Sequence, residues 1–305
     1  MFAAFLTAFL FSISAVCARR IAVSLGALPA NTLRLGLAFG ILVLIMLAAG
    51  TWDTVRPAIT WLGISGLIGF GVGDVALYLA IVRIGSRLTT LLVFAIGPLI
   101  SAGMEFLWLG VGIGWTEVLA IVAILAGLVL VLRPGERKTV GFSAFGVVCG
   151  VLAGLGQAIG AVFSRRANTL LDEGSGDILG GLAQAAVRVG GGLPIAIIAL
   201  VFVSLRAKRA ATNSDVPALI APPRFIPLWI LVAALCGPVL GVGCFQWALF
   251  GLPSGIVLAV VSLVPIFVMP WSYVLEGDRP SRVALIGTAV AVGGVVMLAL
   301  AEVES

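Results

Sequence analysis

Apolar stretches long enough to cross a lipid bilayer follow one another along nearly the whole chain. A membrane-spanning helix needs about 20 predominantly apolar residues. Cutting the sequence at charge clusters and turn residues gives ten such spans: 2–22, 30–50, 58–82, 87–109, 116–132, 142–164, 184–204, 226–249, 254–275 and 282–301. Each must be a helix that satisfies its own backbone, because none shows the alternation of a transmembrane β-strand. With 61% apolar and 10% charged residues, the chain is predicted to be an all-α integral membrane protein.

Lysine and arginine residues are divided unequally between the two sides of the predicted membrane. Thirteen follow odd-numbered spans: Arg19, Arg20, Arg83, Arg87, Arg133, Arg137, Lys138, Arg206, Lys208, Arg209, Arg224, Arg279 and Arg282. Only Arg56, Arg165 and Arg166 fall on the other side. Because positive residues concentrate in cytoplasmic connections, we predict that both termini are periplasmic. The scattering of these charges also argues against nucleic-acid binding, in spite of a net charge of +5.

The sequence offers little for metal, cofactor or covalent chemistry. It contains no histidine, and its four cysteines lie in apolar spans without metal-ligand spacing. We therefore expect no metal site, no cofactor and no catalytic residue, and a proton relay would have to use carboxylates. Because the first positive charges follow the first span, we expect a membrane span there and not a cleaved signal peptide. The chain has no P-loop, so any transport would be uniport or driven by an ion gradient.

The two halves of the chain share five landmarks in the same order. The matched pairs are Arg19-Arg20 with Arg165-Arg166, Arg34 with Arg188, Gly71-Val72-Gly73 with Gly241-Val242-Gly243, Pro98 with Pro265, and Ala126-Gly127 with Gly293-Gly294. We predict two five-helix repeats, at residues 1–136 and 137–305, and expect the shared Gly-Val-Gly motif to serve close helix packing. Because five is an odd number of crossings, the second copy must enter the membrane from the opposite side. Inverted repeats around a central cavity are the architecture of many secondary transporters.

Asp74 is the acid that the sequence places deepest in the membrane. It lies nine residues before Arg83, about 13 Å along a helix, too far for its carboxylate to reach the membrane surface. An ionised carboxylate at such a depth costs about 2.5–3.5 kcal/mol on insertion scales. Two interpretations stay open: an acid that faces a cavity and titrates or binds a substrate ammonium group, or a structural acid bonded to a neighbouring helix. Tyr78, one turn further on, shares its face and either lines a substrate wall or locks two helices together.

Four further side chains are candidates for substrate binding. Gln246 and Trp247 follow the second Gly-Val-Gly motif, but adjacent residues point about 100° apart, so we expect only one of them to face a cavity. Gln157 lies in a small-residue stripe that equally suits helix packing. Ser12 in the first span is a weaker candidate, because serines often bond their own helix.

Two prolines interrupt the predicted fourth and ninth spans. Pro98 and Pro265 each free a backbone carbonyl, which could bind substrate, and each could act as a hinge or simply pack. Glu105 is expected to reach the membrane interface. Arg34 and Arg188 lie four or five residues from the predicted helix starts, where snorkelling is expected and pairing with an acid or a substrate carboxylate is the alternative.

The end of the chain resembles a known transporter family. Pro265-Ile266-Phe267, Gly277-Asp278-Arg279-Pro280, Gly287 and Gly293-Gly294 are similar to the closing pair of spans in EamA-type members of the drug/metabolite transporter superfamily. That family usually has Gly-Glu-Arg at the turn, so Asp278 departs from it. The resemblance implies ten helices in the inner membrane and a central cavity lined by spans one, three, four, six, eight and nine. It is nearest to the branch that exports aromatic amino acids.

Together, the repeats and the resemblance predict a bacterial inner-membrane carrier. We expect it to export amino acids, aromatic ones included, by alternating access, as a possible monomer with no partner beyond its substrate and the lipid bilayer. A carrier for drugs or other metabolites is the alternative within the same class, and a cationic drug would require an acid such as Asp74. A membrane-embedded enzyme for lipid substrates would need clustered acids or histidines, which the sequence lacks. A receptor or scaffold that does not transport is the third class.

Overall fold

The computed structural model describes residues 1–110, 112, 114–132, 143–211, 225–276 and 281–304. Within these ranges the chain is helical and contains no strand. The α-helices are α1 (Phe2–Leu25), α2 (Ala27–Ala49), α3 (Trp52–Val55), α4 (Ile59–Gly66), α5 (Val75–Leu109), α6 (Trp115–Leu132), α7 (Ala144–Asn168), α8 (Ile178–Ala211), α9 (Ile226–Ala234), α10 (Leu240–Gly251), α11 (Ser254–Val261), α12 (Val264–Glu276) and α13 (Arg282–Glu304). The all-α prediction is confirmed.

Eight helical segments in the described residues are long and apolar enough to cross a membrane. They fall in the predicted spans one to four and six to nine. The predicted fifth and tenth spans correspond to two shorter apolar segments, Trp115–Leu130 and Arg282–Met297. The turn motif at residues 277–280 lies outside the described residues.

Helix α5 contains two predicted spans and must reverse direction within its length. Its contacts with α7 establish this. Moving along α7 from start to end, the neighbours of Gly146, Gly150, Gly156 and Phe163 are Ile84, Leu92, Gly73 and Trp108, respectively. From the start to the end of α7, one row of neighbours runs backward in the sequence, from Ile84 to Gly73. The other row runs forward, from Leu92 to Trp108. The chain turns back between Ile84 and Leu92, as two antiparallel spans require.

A π-helical segment interrupts the predicted third span, and another interrupts the eighth. They are Leu67–Asp74, between α4 and α5, and Leu235–Val239, between α9 and α10. Such segments are rare inside α-helices and often occur at functional sites. Glycines let this region approach its neighbours closely: a Cβ at Gly156 would lie 2.8 Å from the Cα of Gly73. The prediction that the Gly-Val-Gly motif serves close packing is confirmed.

Helices α6 and α13 pack directly on each other through glycines. A Cβ at Gly127 would lie 2.5 Å from the carbonyl oxygen of Gly287. On the opposite helix, a Cβ at Gly294 would lie 2.7 Å from the carbonyl oxygen of Ala120. Close backbone approach of this kind is how membrane helices gain van der Waals contact when lipid is as apolar as their side chains.

Candidate functional site

A buried ion pair joins Arg34 of α2 to Asp74 at the end of the first π-helical segment. Nη2 of Arg34 lies 2.5 Å from Oδ2 of Asp74, and Asp74 is only 3% exposed. The same nitrogen donates to Oδ1 of Asn31 at 3.2 Å. Removing either charge from such a pair leaves the other uncompensated, at a cost of about 3–5 kcal/mol. The structure therefore supports the interpretation of Asp74 as an acid bonded to a neighbouring helix.

Tyr78 completes this first cluster. It is buried beneath Arg34, whose guanidinium lies 5.3 Å from the centre of the tyrosine ring. In the part of the chain that the structure describes, the Tyr78 hydroxyl, Nε of Arg34 and Nδ2 of Asn31 have no hydrogen-bond partner. Since buried polar groups are normally satisfied, a ligand that entered this cluster would find three unpaired polar atoms. The prediction that Tyr78 shares a face with Asp74 is confirmed, because both reach Arg34.

A second cluster surrounds Arg188 of α8. Its Nη1 donates to Oε1 of Gln246 at 2.8 Å, and Nε2 of Gln246 donates to Oε1 of Gln184 at 3.0 Å. The rings of Phe70 and Phe245 lie 5.4 Å and 5.6 Å from the guanidinium carbon. Nε of Arg188 has no hydrogen-bond partner among the described residues. The cluster is therefore cationic, walled by aromatic rings and incompletely hydrogen-bonded.

The two clusters adjoin at the first π-helical segment. A Cβ at Gly69, in the middle of that segment, would lie 3.3 Å from Nη2 of Arg188, while Asp74 ends it. In the described residues Asp74 forms an ion pair with Arg34 and not with Arg188. Two arginines and one carboxylate therefore leave the buried site with one positive charge in excess.

Snorkelling was the wrong expectation for Arg34 and Arg188, because their helices begin earlier than the sequence indicated. Helix α2 begins at Ala27 and α8 at Ile178, instead of at residues 30 and 184. Arg34 is therefore about 10 Å, and Arg188 about 15 Å, from its helix start. Arg188 is only 2% exposed. At that depth the arginines pair with polar side chains instead of reaching water, and for Arg34 the acid-pairing alternative is confirmed.

The other predicted binding residues fall outside these clusters. Trp247 is partly buried and packs edge-on against Phe2 at 6.3 Å, so of the adjacent pair only Gln246 enters the Arg188 cluster. Gln157 is partly buried, and no hydrogen bond joins it to either cluster in the described part of the chain. Ser12 is buried but donates to the carbonyl of Phe9 in its own helix at 2.6 Å.

The two prolines occupy different environments. Pro98 lies inside α5. Because proline has no N–H, the carbonyl of Phe94, four residues earlier, lacks its helical donor. This carbonyl accepts a hydrogen bond from Oγ of Ser262 at 2.9 Å instead. Pro265 lies at the start of α12, directly after the break that separates α11 from α12. The Phe94 carbonyl is therefore taken by protein and is not open to substrate. A hinge role for either proline stays a prediction.

A third polar cluster, which we call the end clasp, was missed by the sequence analysis. Glu105 was expected to reach the interface, yet it is 1% exposed. Its Oε1 accepts from Nε of Arg165 at 3.0 Å, and Oε2 accepts from both the backbone N and the hydroxyl of Ser254. Nη1 of Arg165 also donates to the carbonyls of Leu249 and Phe250 at 2.9 Å and 2.8 Å. The clasp ties together one end each of α5, α7, α10 and α11.

Comparison with known proteins identifies the family. The model of the EamA-like transporter family matches residues 1–133 and 144–300. The chain belongs to this family. EamA-like proteins are membrane transporters, so the chain is a multi-pass membrane protein of the drug/metabolite transporter superfamily, and this agrees with the expectation that it is not an enzyme.

The fold agrees with a solved structure. One described as "Crystal structure of protein" superposes with a TM-score of 0.72 and 19% sequence identity, covering 100% of this chain and 98% of the other. At this identity the match concerns the fold alone. No curated protein sequence matches the chain.

Proposed function

We propose that this EamA-like transporter is an inner-membrane carrier that exports amino acids, aromatic ones included, by alternating access. The observation that carries the proposal is the excess positive charge of the buried site. Arg34 is neutralised by Asp74 at 2.5 Å. Among the described residues, no carboxylate forms an ion pair with Arg188. A buried cation needs a counter-charge, and the carboxylate of an amino acid supplies one.

Hydrogen-bond geometry supports the same substrate class. The guanidinium of Arg188 has an unpartnered Nε, and a guanidinium binds carboxylates through paired N–H groups. The rings of Phe70, Phe245 and Tyr78 offer apolar surface beside the two arginines. A planar side chain can pack against such rings while its carboxylate remains with Arg188.

The pairing of Asp74 weighs against the alternative of a cationic drug. A drug carrier of that type would require a free acid in the site. Here the deepest acid is already bound to Arg34. A cationic ligand would have to displace an arginine and would bring a third positive charge next to one carboxylate.

Two inverted five-helix repeats, at residues 1–136 and 137–305, form the architecture that we propose for alternating access. Support comes from the contact between α6 and α13. Gly127 packs on Gly287, and Gly294 packs on Ala120. Each residue of the first contact lies 167 positions from its counterpart in the second, as a two-fold axis between duplicated halves requires. The π-helical segments, one in each half, add to this support.

Transport of matched amino-acid analogues tests the substrate class. The purified protein is reconstituted in liposomes, and uptake of labelled phenylalanine is compared with uptake of phenethylamine, which has the same ring and ammonium group but no carboxylate. Phenylalanine is expected to be taken up. A comparison of its uptake with and without a pH gradient shows whether transport is coupled to protons. If only phenethylamine or other lipophilic cations move, the carboxylate proposal is wrong.

A variant of Arg188 tests which group binds the carboxylate. Loss of a charge-assisted hydrogen bond costs about 1.5–3 kcal/mol, so Arg188→Gln is expected to raise the half-saturation concentration for phenylalanine about 10- to 100-fold. Arg56→Gln, at an exposed position, is the matched control and should transport normally. An unchanged concentration dependence in Arg188→Gln would remove Arg188 from the site.

Both termini are proposed to lie in the periplasm. A reporter that is active only in the periplasm, fused after Ser305, should give a signal. A reporter signal restricted to the cytoplasm would reverse the orientation derived from the positive charges.

A further inference from the structure

A cavity of about 380 Å³ lies at the end of the helices that the end clasp joins. Its lining includes Trp108 of α5, Arg166 and Asn168 of α7, Thr169 just beyond α7, and Phe250 of α10. A volume in this range fits the lower end of ligand pockets, which span about 300–1,000 Å³. None of these residues belongs to the Arg34 or Arg188 cluster.

Asn168 indicates that the cavity is built to hold a polar ligand. It is only 7% exposed, and its Nδ2 and Oδ1 have no hydrogen-bond partner among the described residues. A buried amide without partners costs about 1–3 kcal/mol. Both atoms are turned away from the cavity that Asn168 lines, so a ligand would remove this cost by accepting from the nitrogen and donating to the oxygen after the amide turns toward it.

The two neighbouring arginines play different parts. The guanidinium of Arg165 is held by Glu105 and by the carbonyls of Leu249 and Phe250. Arg166 is less constrained: one nitrogen donates to Oγ1 of Thr169 at 3.1 Å, and its carbon lies 5.9 Å from the ring of Trp61. Arg166 therefore has donors left for an anion.

Aromatic rings make one wall of the cavity rigid. Trp108 packs against Trp61 at 5.6 Å and against Phe163 at 5.2 Å between ring centres. Phe250 contributes a second ring to the lining. An anion-binding arginine, a buried amide and two aromatic surfaces together suit a small planar molecule that carries a carboxylate and a hydrogen-bond donor.

The cavity and the Arg188 cluster lie on opposite sides of the end clasp. Gly160 of α7 is beside the Arg188 guanidinium, where its Cβ would lie 3.2 Å from Nη2. The clasp residue Arg165 comes five residues later and Asn168 eight residues later, about 12 Å along the helix from Gly160. Arg165 also lines the cavity, so the Glu105–Arg165 pair forms part of the cavity wall on the side toward the Arg188 cluster.

We propose that this cavity is a second binding site, which takes the transported carboxylate-bearing molecule on the far side of the clasp. The proposal rests on the proposed function for the nature of the ligand. Its ring lies against Trp108 and Phe250 and its carboxylate binds Arg166. Its ammonium group donates to Oδ1 of Asn168 once that amide turns toward the cavity. A carrier with such a site holds its substrate once at the arginines and again at the membrane surface.

Photolabelling with a diazirine-bearing phenylalanine tests this site directly. The purified full-length protein is irradiated with the probe, and labelled peptides are located by mass spectrometry, with unlabelled phenylalanine as competitor. We expect competed labelling in the segment around Asn168 or Trp108. Arg166→Gln, at a partly exposed position that should tolerate the change, should lower this labelling at least about tenfold, as loss of a charge-assisted hydrogen bond implies. The matched control Arg56→Gln should leave it unchanged.

Labelling in Arg188→Gln separates this proposal from the proposed function. Retained labelling at the cavity together with lost labelling near Arg188 supports two independent sites. Competed labelling near Arg188 in the unmodified protein, with none at the cavity, overturns the second site and leaves the proposed function standing. Labelling at neither place overturns both. Cavity labelling that phosphatidylglycerol displaces and phenylalanine does not would identify a lipid headgroup as the occupant and would also overturn the proposal.

Discussion

The Arg34–Asp74 pair gives the sharpest prediction about the stability of the buried site. Neutralising either member breaks an ion pair between side chains that are 10% and 4% exposed. The two losses should be unequal, because the guanidinium of Arg188 lies beside the same π-helical segment that Asp74 ends, and opposite charges attract over such distances inside a protein. In Arg34→Gln the carboxylate keeps the attraction of one arginine, whereas in Asp74→Asn two buried arginines lose their shared counter-charge. We therefore expect Asp74→Asn to be the more destabilising change.

The expected magnitude follows from the burial of the pair. Breaking a buried pair costs about 3–5 kcal/mol, and at roughly 2 °C per kcal/mol for a large domain this lowers the melting temperature by about 6–10 °C. Asp74→Asn should lie at the upper end of that range and Arg34→Gln at the lower end. The double variant removes both charges and should recover most of the loss in each single variant. Thermal unfolding in one detergent, followed by intrinsic tryptophan fluorescence, measures all four proteins.

Three results would refute this reasoning. Single variants that melt within about 2 °C of the unmodified protein would mean that the pair contributes no more than a surface salt bridge does. A larger loss in Arg34→Gln than in Asp74→Asn would mean that Arg188 does not share the carboxylate. Additive losses in the double variant would contradict direct coupling between the two side chains.

Two further predictions concern helix packing and the end clasp. Gly127→Ala places a Cβ 2.5 Å from a carbonyl oxygen and should lower the free energy of unfolding by about 1–3 kcal/mol. The control Gly293→Ala, whose Cβ would have nothing within 4 Å, should leave the melting temperature unchanged. Equal effects of the two variants would contradict the observed helix contact. Glu105→Ala removes the acceptor for the backbone N–H of Ser254. Hydrogen exchange at this amide, measured by mass spectrometry, should become at least about tenfold faster. Unchanged exchange would show that the clasp does not hold this helix end.

Much of the fold follows from the sequence, because apolar length and glycine spacing are local properties. Within the described ranges, eight helical segments of spanning length lie where apolar stretches predicted them, and the Gly-Val-Gly motif packs as expected. The sequence predicted two separate spans on either side of the reversal in α5, although every residue from Val75 to Leu109 is helical. The π-helical segments were not predicted, because the choice between four- and five-residue hydrogen-bond spacing depends on packing against other helices.

The site was only partly predictable, because its partners come from distant parts of the chain. Asp74 and Tyr78 were identified from depth and spacing, but the partner of Asp74 lies 40 residues earlier on another helix. Errors of three to six residues in helix starts were enough to move Arg34 and Arg188 from buried positions to apparent snorkelling distance. Glu105 was underrated for a similar reason: its depth depends on α10 and α11 covering the helix end.

The π-helical segment before Asp74 makes the number of residues in this span matter as much as their identity. A segment that closes each turn with five-residue spacing holds one residue more than an α-helix between the same two ends. Deleting Val72, whose side chain is 44% exposed, would let the segment revert to α-helix between the same two ends, so that Asp74 still faces Arg34. A one-residue deletion within the regular α-helix of α4 would instead rotate the residues before it by about 100° relative to Asp74. One-residue deletions should therefore be better tolerated in the π-helical segment than in the α-helices on either side of it.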